Sequence, residues 1–185
     1  MSANELPLKE ISIEDLFSES ENSLYEIPIY QRNYAWEKEE ISALVQDVYD
    51  AFRENEYKPY YIGTLVSYHK AENVYEVIDG QQRLTTIRII LALESQIDRF
   101  NKMRFNMYYQ TRPGLSKLFD KLRIDEENER FIVKFDNDND QCNDIDSWHI
   151  HNAANKILDW FQNGSGYFKP SIQEFKGGFN ENFSN

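Results

Sequence analysis

The chain has 185 residues, of which 41% are hydrophobic and 15% aromatic, enough for one substantial core or a core with a smaller helical appendage. Its 20 Lys and Arg against 32 Asp and Glu give a net charge of −12, a bulk charge that repels nucleic acid at long range. Cys142 is its one cysteine, which excludes an internal disulfide; no signal-peptide stretch and no run of roughly 18 apolar residues occurs, so the expectation is a soluble, cytoplasmic protein without membrane contact.

In chain order, residues 11–17 read as a short strand running into a helical turn, and residues 25–30 as an extended segment in which Pro28 keeps Ile27 out of the helical region. Residues 37–53 carry Ile41, Leu44, Val45, Val48 and Phe52 at helical spacing, with acids in the first turn where the helix dipole favours them. Residues 60–68 and 74–78 are aromatic and β-branched, and the polar link 69–73 predicts an antiparallel hairpin. After Asp79-Gly80 a helix runs to about Phe100, with Leu84, Ile87, Ile90, Leu91 and Ile97 inward. Met103, Phe105, Met107 and Tyr109 alternate as in a strand, and Pro113 opens a short helix to about Leu122. Residues 136–146 form an acidic loop; Asp146 or Ser147 then caps a helix to Phe161 that buries Ile150, Ala153, Ala154, Ile157, Leu158 and Phe161. Beyond Asn163, Gly-Ser-Gly and Gly-Gly read as a linker. The order predicts an α+β domain with a C-terminal helical extension.

Charge is unevenly spread. Residues 101–123 hold six cations (Lys102, Arg104, Arg112, Lys117, Lys121, Arg123) and one acid, whereas 124–146 hold nine acids. The first stretch is where nucleic acid would meet the chain; the alternative is that both are solvated surface.

Two segments carry candidate chemistry. Ile78-Asp79-Gly80-Gln81-Gln82-Arg83-Leu84-Thr85-Thr86 lies where a strand gives way to a helix. The first turn of a helix has unpaired N–H groups and partial positive charge, so it can hold a phosphate. Gly80 permits a sharp turn and close approach of an anion, Arg83 adds a forked cation, and Gln81 and Gln82 can donate to phosphate, a base edge or an attacking water. Asp79 beside a polyanion implies an intervening cation, which makes it a candidate Mg²⁺ contact. The bland alternative is a common Asp-Gly turn with an i,i+4 surface pair; the pattern is not a Walker loop. In Ile27-Pro28-Ile29-Tyr30-Gln31-Arg32-Asn33-Tyr34-Ala35-Trp36, Tyr30 and Tyr34 could stack on a base while Arg32 grips a phosphate; the alternative is that Tyr34 and Trp36 anchor the next helix to the core, the reading preferred for Trp36.

Taken together, I-P-x-Y-Q-R-x-Y-x-W, the Gly63-Thr64 pair and D-G-Q-Q-R-L-T-T resemble the N-terminal domain of the GmrSD-type restriction endonucleases, a family similar to the ParB/sulfiredoxin fold. The resemblance implies a ParB-like small mixed sheet with helices: a nucleotide-binding core over 1–100, a strand and helical extension over 101–163, and a linker or tail over 164–185. It also implies binding and hydrolysis of an NTP, GTP or ATP with Mg²⁺, coupled to restriction of modified foreign DNA in phage defence. On that carry-over Asp79, Gly80, Gln81, Gln82 and Arg83 form the nucleotide site, together with Gln31, Arg32, Gly63, Thr64 and Thr85. Hydrolysis follows from the resemblance alone.

Such proteins often continue into a nuclease domain with a His-centred motif. This chain has only His69, His149 and His151, the last two pointing to different sides of a helix, so it is expected to cut no DNA itself and to work with a nuclease domain or subunit, a homo-oligomer being a further option. Asp136-x-Asp138-x-Asp140 lacks the glycine and final glutamate of a calcium loop, and Cys142 has no histidine at a motif spacing. The rival function is a non-catalytic module that recognises modified DNA with Tyr30, Tyr34 and the basic stretch, its D-G-Q-Q-R turn holding a DNA phosphate.

Overall fold

A computed structural model describes residues 9–17, 23–54, 59–97, 106–128, 130–136 and 144–163. They form helices α1 (Ile13–Phe17), α2 (Lys38–Glu54), α3 (Gln81–Ile97), α4 (Leu115–Phe119) and α5 (Ile145–Asn163). The strands are β1 (Leu24–Ile27), β2 (Val66–Ala71), β3 (Val74–Asp79), β4 (Met107–Tyr109), β5 (Leu122–Glu127) and β6 (Arg130–Phe135). This is the α+β class expected from the sequence.

The main sheet has four strands in the order β2-β3-β1-β4. It is mixed: β1 pairs in parallel with both β3 and β4, while β2 and β3 form the antiparallel hairpin. Alternation sets its faces, since Tyr25, Ile27, Val77, Met107 and Tyr109 turn inward and are buried. They meet Ile41 and Val45 of α2, the apolar side chains of α3, and Ile150, Ala153, Ala154, Ile157 and Leu158 of α5 in a single core cluster. Among the described residues no helix is long and apolar enough to cross a membrane.

Several local expectations shift. Residues 11–12 are not a strand; Ser12 instead caps α1, its Oγ accepting from the Asp15 N–H at 2.9 Å and donating to the Asp15 carboxylate at 2.8 Å. Strand β2 starts only at Val66, because Gly63 at φ 121° interrupts the extended run. The cap of α5 is Asp144, which accepts from the Ser147 N–H at 2.8 Å and from its hydroxyl at 2.6 Å, rather than Asp146 or Ser147. The stretch 103–105, the loop 137–143 with Cys142, and the tail from residue 164 lie outside the described residues.

A β5–β6 hairpin was not expected. Leu122 and Ile124 on one strand and Phe131, Val133 and Phe135 on the other recur at every second residue, as on one face of a strand, so the acidic stretch contains a strand rather than only solvated surface. The outer edge of β6 is finished by side chains of α5. Asn155 Oδ1 accepts from Val133 N–H at 2.9 Å, Gln162 accepts from Phe131 N–H at 2.6 Å and donates back to its carbonyl at 2.8 Å, and His151 Nε2 donates to the Val133 carbonyl at 2.7 Å. A strand edge covered in this way offers no template for pairing with another chain.

Asn155→Leu removes the acceptor for Val133 N–H and leaves that group unpaired against a helix. Urea unfolding is expected to show a loss of about 1–3 kcal/mol at unchanged m-value; wild-type stability would mean that the edge is held by other contacts.

Candidate functional site

Parallel pairing puts the carboxyl ends of β1 and β3 side by side, with Leu24 opposite Val74 and Glu26 opposite Glu76. The two segments singled out in the sequence are the chains that leave these ends. In open sheets this is the edge where ligands bind. The end of β4 joins them: the Gln110 N–H donates to the Ile27 carbonyl at 3.0 Å, and Gln110 Oε1 accepts from the Ile29 N–H at 3.0 Å. Pro28 can donate nothing, so β1 stops there and the chain turns, Gln31 N–H closing onto the Pro28 carbonyl.

At the end of β3, Gly80 has φ 96°, a conformation that favours glycine, and a Cβ there would lie 3.2 Å from the Thr64 carbonyl oxygen and from Leu65 Cδ1. The chain then enters α3, whose first intrahelical bond runs from Leu84 N–H to the Gly80 carbonyl at 2.9 Å. Helix α3 is buried on almost every side: Leu84, Thr85, Thr86, Ile87, Arg88, Ile89, Ile90, Leu91, Ala92 and Leu93 are all buried, a wider face than the expected stripe.

The two segments are stitched together. Gln31 Nε2 donates to the Ile78 carbonyl at 2.8 Å. Gln82 spans the gap with both ends of its amide, Oε1 accepting from Ala35 N–H at 2.8 Å and Nε2 donating to the Asn33 carbonyl at 3.0 Å. Between those contacts Tyr34 is buried, its hydroxyl 2.9 Å from Thr86 Oγ1, which itself donates to the Gln82 carbonyl. Burial pushes the Tyr34 phenol well above its ordinary range. Gln81 is 3% exposed; its Oε1 accepts from Gln82 Nε2 at 3.3 Å, and among the described residues its Nε2 has no partner.

The segment around residue 64 closes the other side. Arg83 Nη1 donates to the Thr64 carbonyl at 3.1 Å, and its guanidinium lies over Gly63 so closely that a Cβ there would be 2.7 Å from Arg83 Cζ. Thr64 Oγ1 is 2.5 Å from the Tyr61 hydroxyl. Of the residues expected at the site, Gln31, Gly63, Thr64, Gly80, Gln81, Gln82 and Arg83 are therefore brought together around the start of α3. Arg32 and Asp79 are exposed at its rim. Thr85 points elsewhere: it is fully buried with its hydroxyl 2.8 Å from that of Tyr109.

The aromatic residues divide. Tyr34, 1% exposed, has no ring face open to a base. Tyr30 is 62% exposed, but its hydroxyl donates to Glu76 at 2.8 Å, and that carboxylate raises its pKa. Glu76 belongs to a network on the outer sheet face in which Lys70 bridges Glu26 at 2.6 Å and Glu76 at 3.6 Å. The one expected stacking ring that is accessible is thus tied by its hydroxyl to an acid of a mixed ion-pair network. Within the basic stretch, Lys102 and Arg104 lie outside the described residues; Arg112 pairs with Asp146 at 2.6 Å and Arg123 with Asp136 at 2.5 Å. Those two arginines are committed within the fold.

Among the described residues no His, Cys, Asp or Glu cluster could hold a resident metal ion. Asp79 is an exposed carboxylate next to the start of α3, a donor set compatible only with a Mg²⁺ ion that takes its other ligands from water or from a bound molecule. Sequence reasoning missed the backbone groups that build the site, the carbonyls of Asn33, Thr64 and Ile78 and the Ala35 N–H; no side-chain pattern announces these.

Gly63→Ala is expected to lower stability by about 1–3 kcal/mol, from backbone strain and from the displaced guanidinium. In an Arg83→Ala background the second part disappears, so a double-mutant cycle read by urea unfolding should be clearly non-additive. Additive effects would mean that the two residues do not press on one another.

No curated protein matches the chain significantly. Residues 13–176 match the family described as GmrSD restriction endonuclease, N-terminal domain. The match spans most of the sequence, including both segments at the carboxyl edge of the sheet, and so the chain belongs to the family of GmrSD restriction endonuclease N-terminal domains and is a component of a restriction system.

Proposed function

We propose that the chain is a nucleotide-binding and nucleotide-hydrolysing domain, taking GTP or ATP with Mg²⁺, that regulates a nuclease domain or subunit acting on modified phage DNA from the cytoplasm. The observation that carries this reading is the start of α3. There a left-handed glycine, helix N–H groups without intrahelical partners and a guanidinium converge at the carboxyl edge of parallel strands.

In this reading the N–H groups of Gln81, Gln82 and Arg83 bind phosphate oxygens, favoured by the positive end of the helix dipole. Arg83, steadied through Nη1 by the Thr64 carbonyl, keeps further donors for phosphoryl charge, and Arg32 approaches from the opposite segment. Asp79 would hold Mg²⁺ directly or through water; when bound, that ion supplies charge neutralisation on the phosphates. Hydrolysis places a water in line with the terminal phosphorus; a new P–O bond forms as the bond to the leaving diphosphate breaks, the water's proton passes to the released phosphate, and stabilisation of the developing oxyanions is the main contribution of the chain.

The rival reading, a non-catalytic DNA module, draws less support. Its stacking pair includes the buried Tyr34, its exposed Tyr30 is bonded to an acid, and two of its arginines are paired. Calorimetry and phosphate release with GTP and ATP, with and without Mg²⁺ and DNA, separate the two. Arg83→Ala is expected to weaken nucleotide binding about 10–150-fold, the scale of a charged hydrogen bond. Asp79→Ala is expected to abolish the Mg²⁺ dependence. Unchanged affinity in a folded Arg83→Ala protein removes that residue from the site; salt-sensitive DNA binding without turnover would favour the rival.

A further inference from the structure

The functional reading leaves the adjacent glutamines interchangeable, either being able to reach the ligand. We infer that they divide the work: Gln82 is a positioning residue that clamps the segment 33–35 to the start of α3, and Gln81 is the one whose amide meets a phosphoryl oxygen. This inference rests on the nucleotide reading of the site.

Neighbouring helix residues are rotated by about 100° from one another, so two successive glutamines cannot present their amides to the same place without one of them reaching around. Gln82 does so. Its Oε1 accepts from Ala35 N–H, and its Nε2 donates to the Asn33 carbonyl and to Gln81 Oε1. An amide with both ends engaged has little left for a ligand, but it fixes the backbone on either side of Tyr34 and thereby the neighbouring Arg32. Gln31, through the Ile78 carbonyl, fixes the same segment one step earlier.

Gln81 is in the opposite condition. It is 97% buried, counted from its 3% exposure, and sits at the first residue of α3 between the helix end and the clamped segment. Its orientation is set by Gln82, because reversing the amide would bring two NH₂ groups together. Its Nε2 is then, among the described residues, a buried donor without an acceptor, a condition that native interiors almost always avoid. An acceptor oxygen arriving at the helix end relieves it. The incoming group is a phosphoryl oxygen, carried either by a nucleoside triphosphate or by inorganic phosphate.

The full chain tests this through Gln81→Leu and Gln82→Leu. Without any ligand, hydrogen exchange at the Ala35 amide is expected to accelerate about tenfold or more in Gln82→Leu and to stay at the wild-type rate in Gln81→Leu. Gln81→Leu, having lost an unpartnered amide, should melt no lower than wild type. In calorimetry with GTP, ATP and inorganic phosphate in the presence of Mg²⁺, Gln81→Leu should weaken binding about tenfold. A loss for nucleotide and phosphate alike points to a bare phosphate subsite, and a loss for nucleotide alone to the triphosphate chain. Gln82→Leu should weaken nucleotide binding in the wild-type background but add nothing in Arg32→Ala, because it acts through the segment that carries Arg32.

Wild-type affinity in Gln81→Leu, or equal Ala35 exchange in both variants, overturns the division of roles. A wild-type protein that binds neither nucleotide nor phosphate sinks the functional reading and the Gln81 assignment with it, while the exchange contrast at Ala35 still decides the clamp.

Discussion

Parallel pairing of β1 with β3 is the constraint from which the site follows. Two strands that run the same way must release their chains at the same edge, however far apart they lie in sequence. Here that edge receives the turn after Pro28 and the Asp79-Gly80 turn, with Gln110 of the β4 exit bonded to both sides of Pro28. Antiparallel pairing would have sent the two segments to opposite ends of the sheet and left Gln31 and Gln82 without the backbone groups they now hold.

Burial of α3 is the second condition. A helix enclosed on nearly all sides must find an internal partner for each polar side chain it carries, since water cannot serve. Thr85 meets Tyr109, Thr86 meets Tyr34 and its own helix, and Arg88 meets Asp120 at 3.0 Å with its guanidinium over Phe119. Among the described residues, the buried start of the helix departs from this rule at the Gln81 amide nitrogen. That the departure falls at the helix end with unpaired N–H groups, rather than at random in the core, is what joins the packing of α3 to the proposed chemistry.

Much of this could be read in the sequence. Helical spacing from Ile41 to Val48 gave α2, the β-branched and aromatic runs gave the β2–β3 hairpin, and Asp79-Gly80 marked a strand-to-helix turn. What stayed hidden is physical in origin. Parallel pairing depends on contacts across 50 residues, Leu24 to Val74, that no local periodicity encodes. The β5–β6 hairpin was masked by charge, because Asp125, Glu126 and Glu127 follow one another as exposed acids at the end of β5 and leave only Leu122 and Ile124 to mark its inward side. Tyr34 stayed open between a stacking ring and a core anchor, because an aromatic beside an arginine looks the same in sequence whether it faces solvent or the core; burial settles it as the anchor.

Charge then sets the terms on which such a site could serve a restriction system. A mononucleotide meets only the few groups around α3, and at physiological ionic strength a Debye length of about 8 Å screens it from acids farther away. Duplex DNA is different: it lies along a surface and meets every charge on the face it touches. On this chain, with its −12 balance, Arg112 and Arg123 are held by Asp146 and Asp136 and the outer sheet face carries Glu26 and Glu76. On the proposed reading the phosphate contacts to DNA therefore come chiefly from the nuclease partner. The domain contributes instead a nucleotide-dependent state of the segment between β1 and α2, which Gln82 at the start of α3 holds by its side chain.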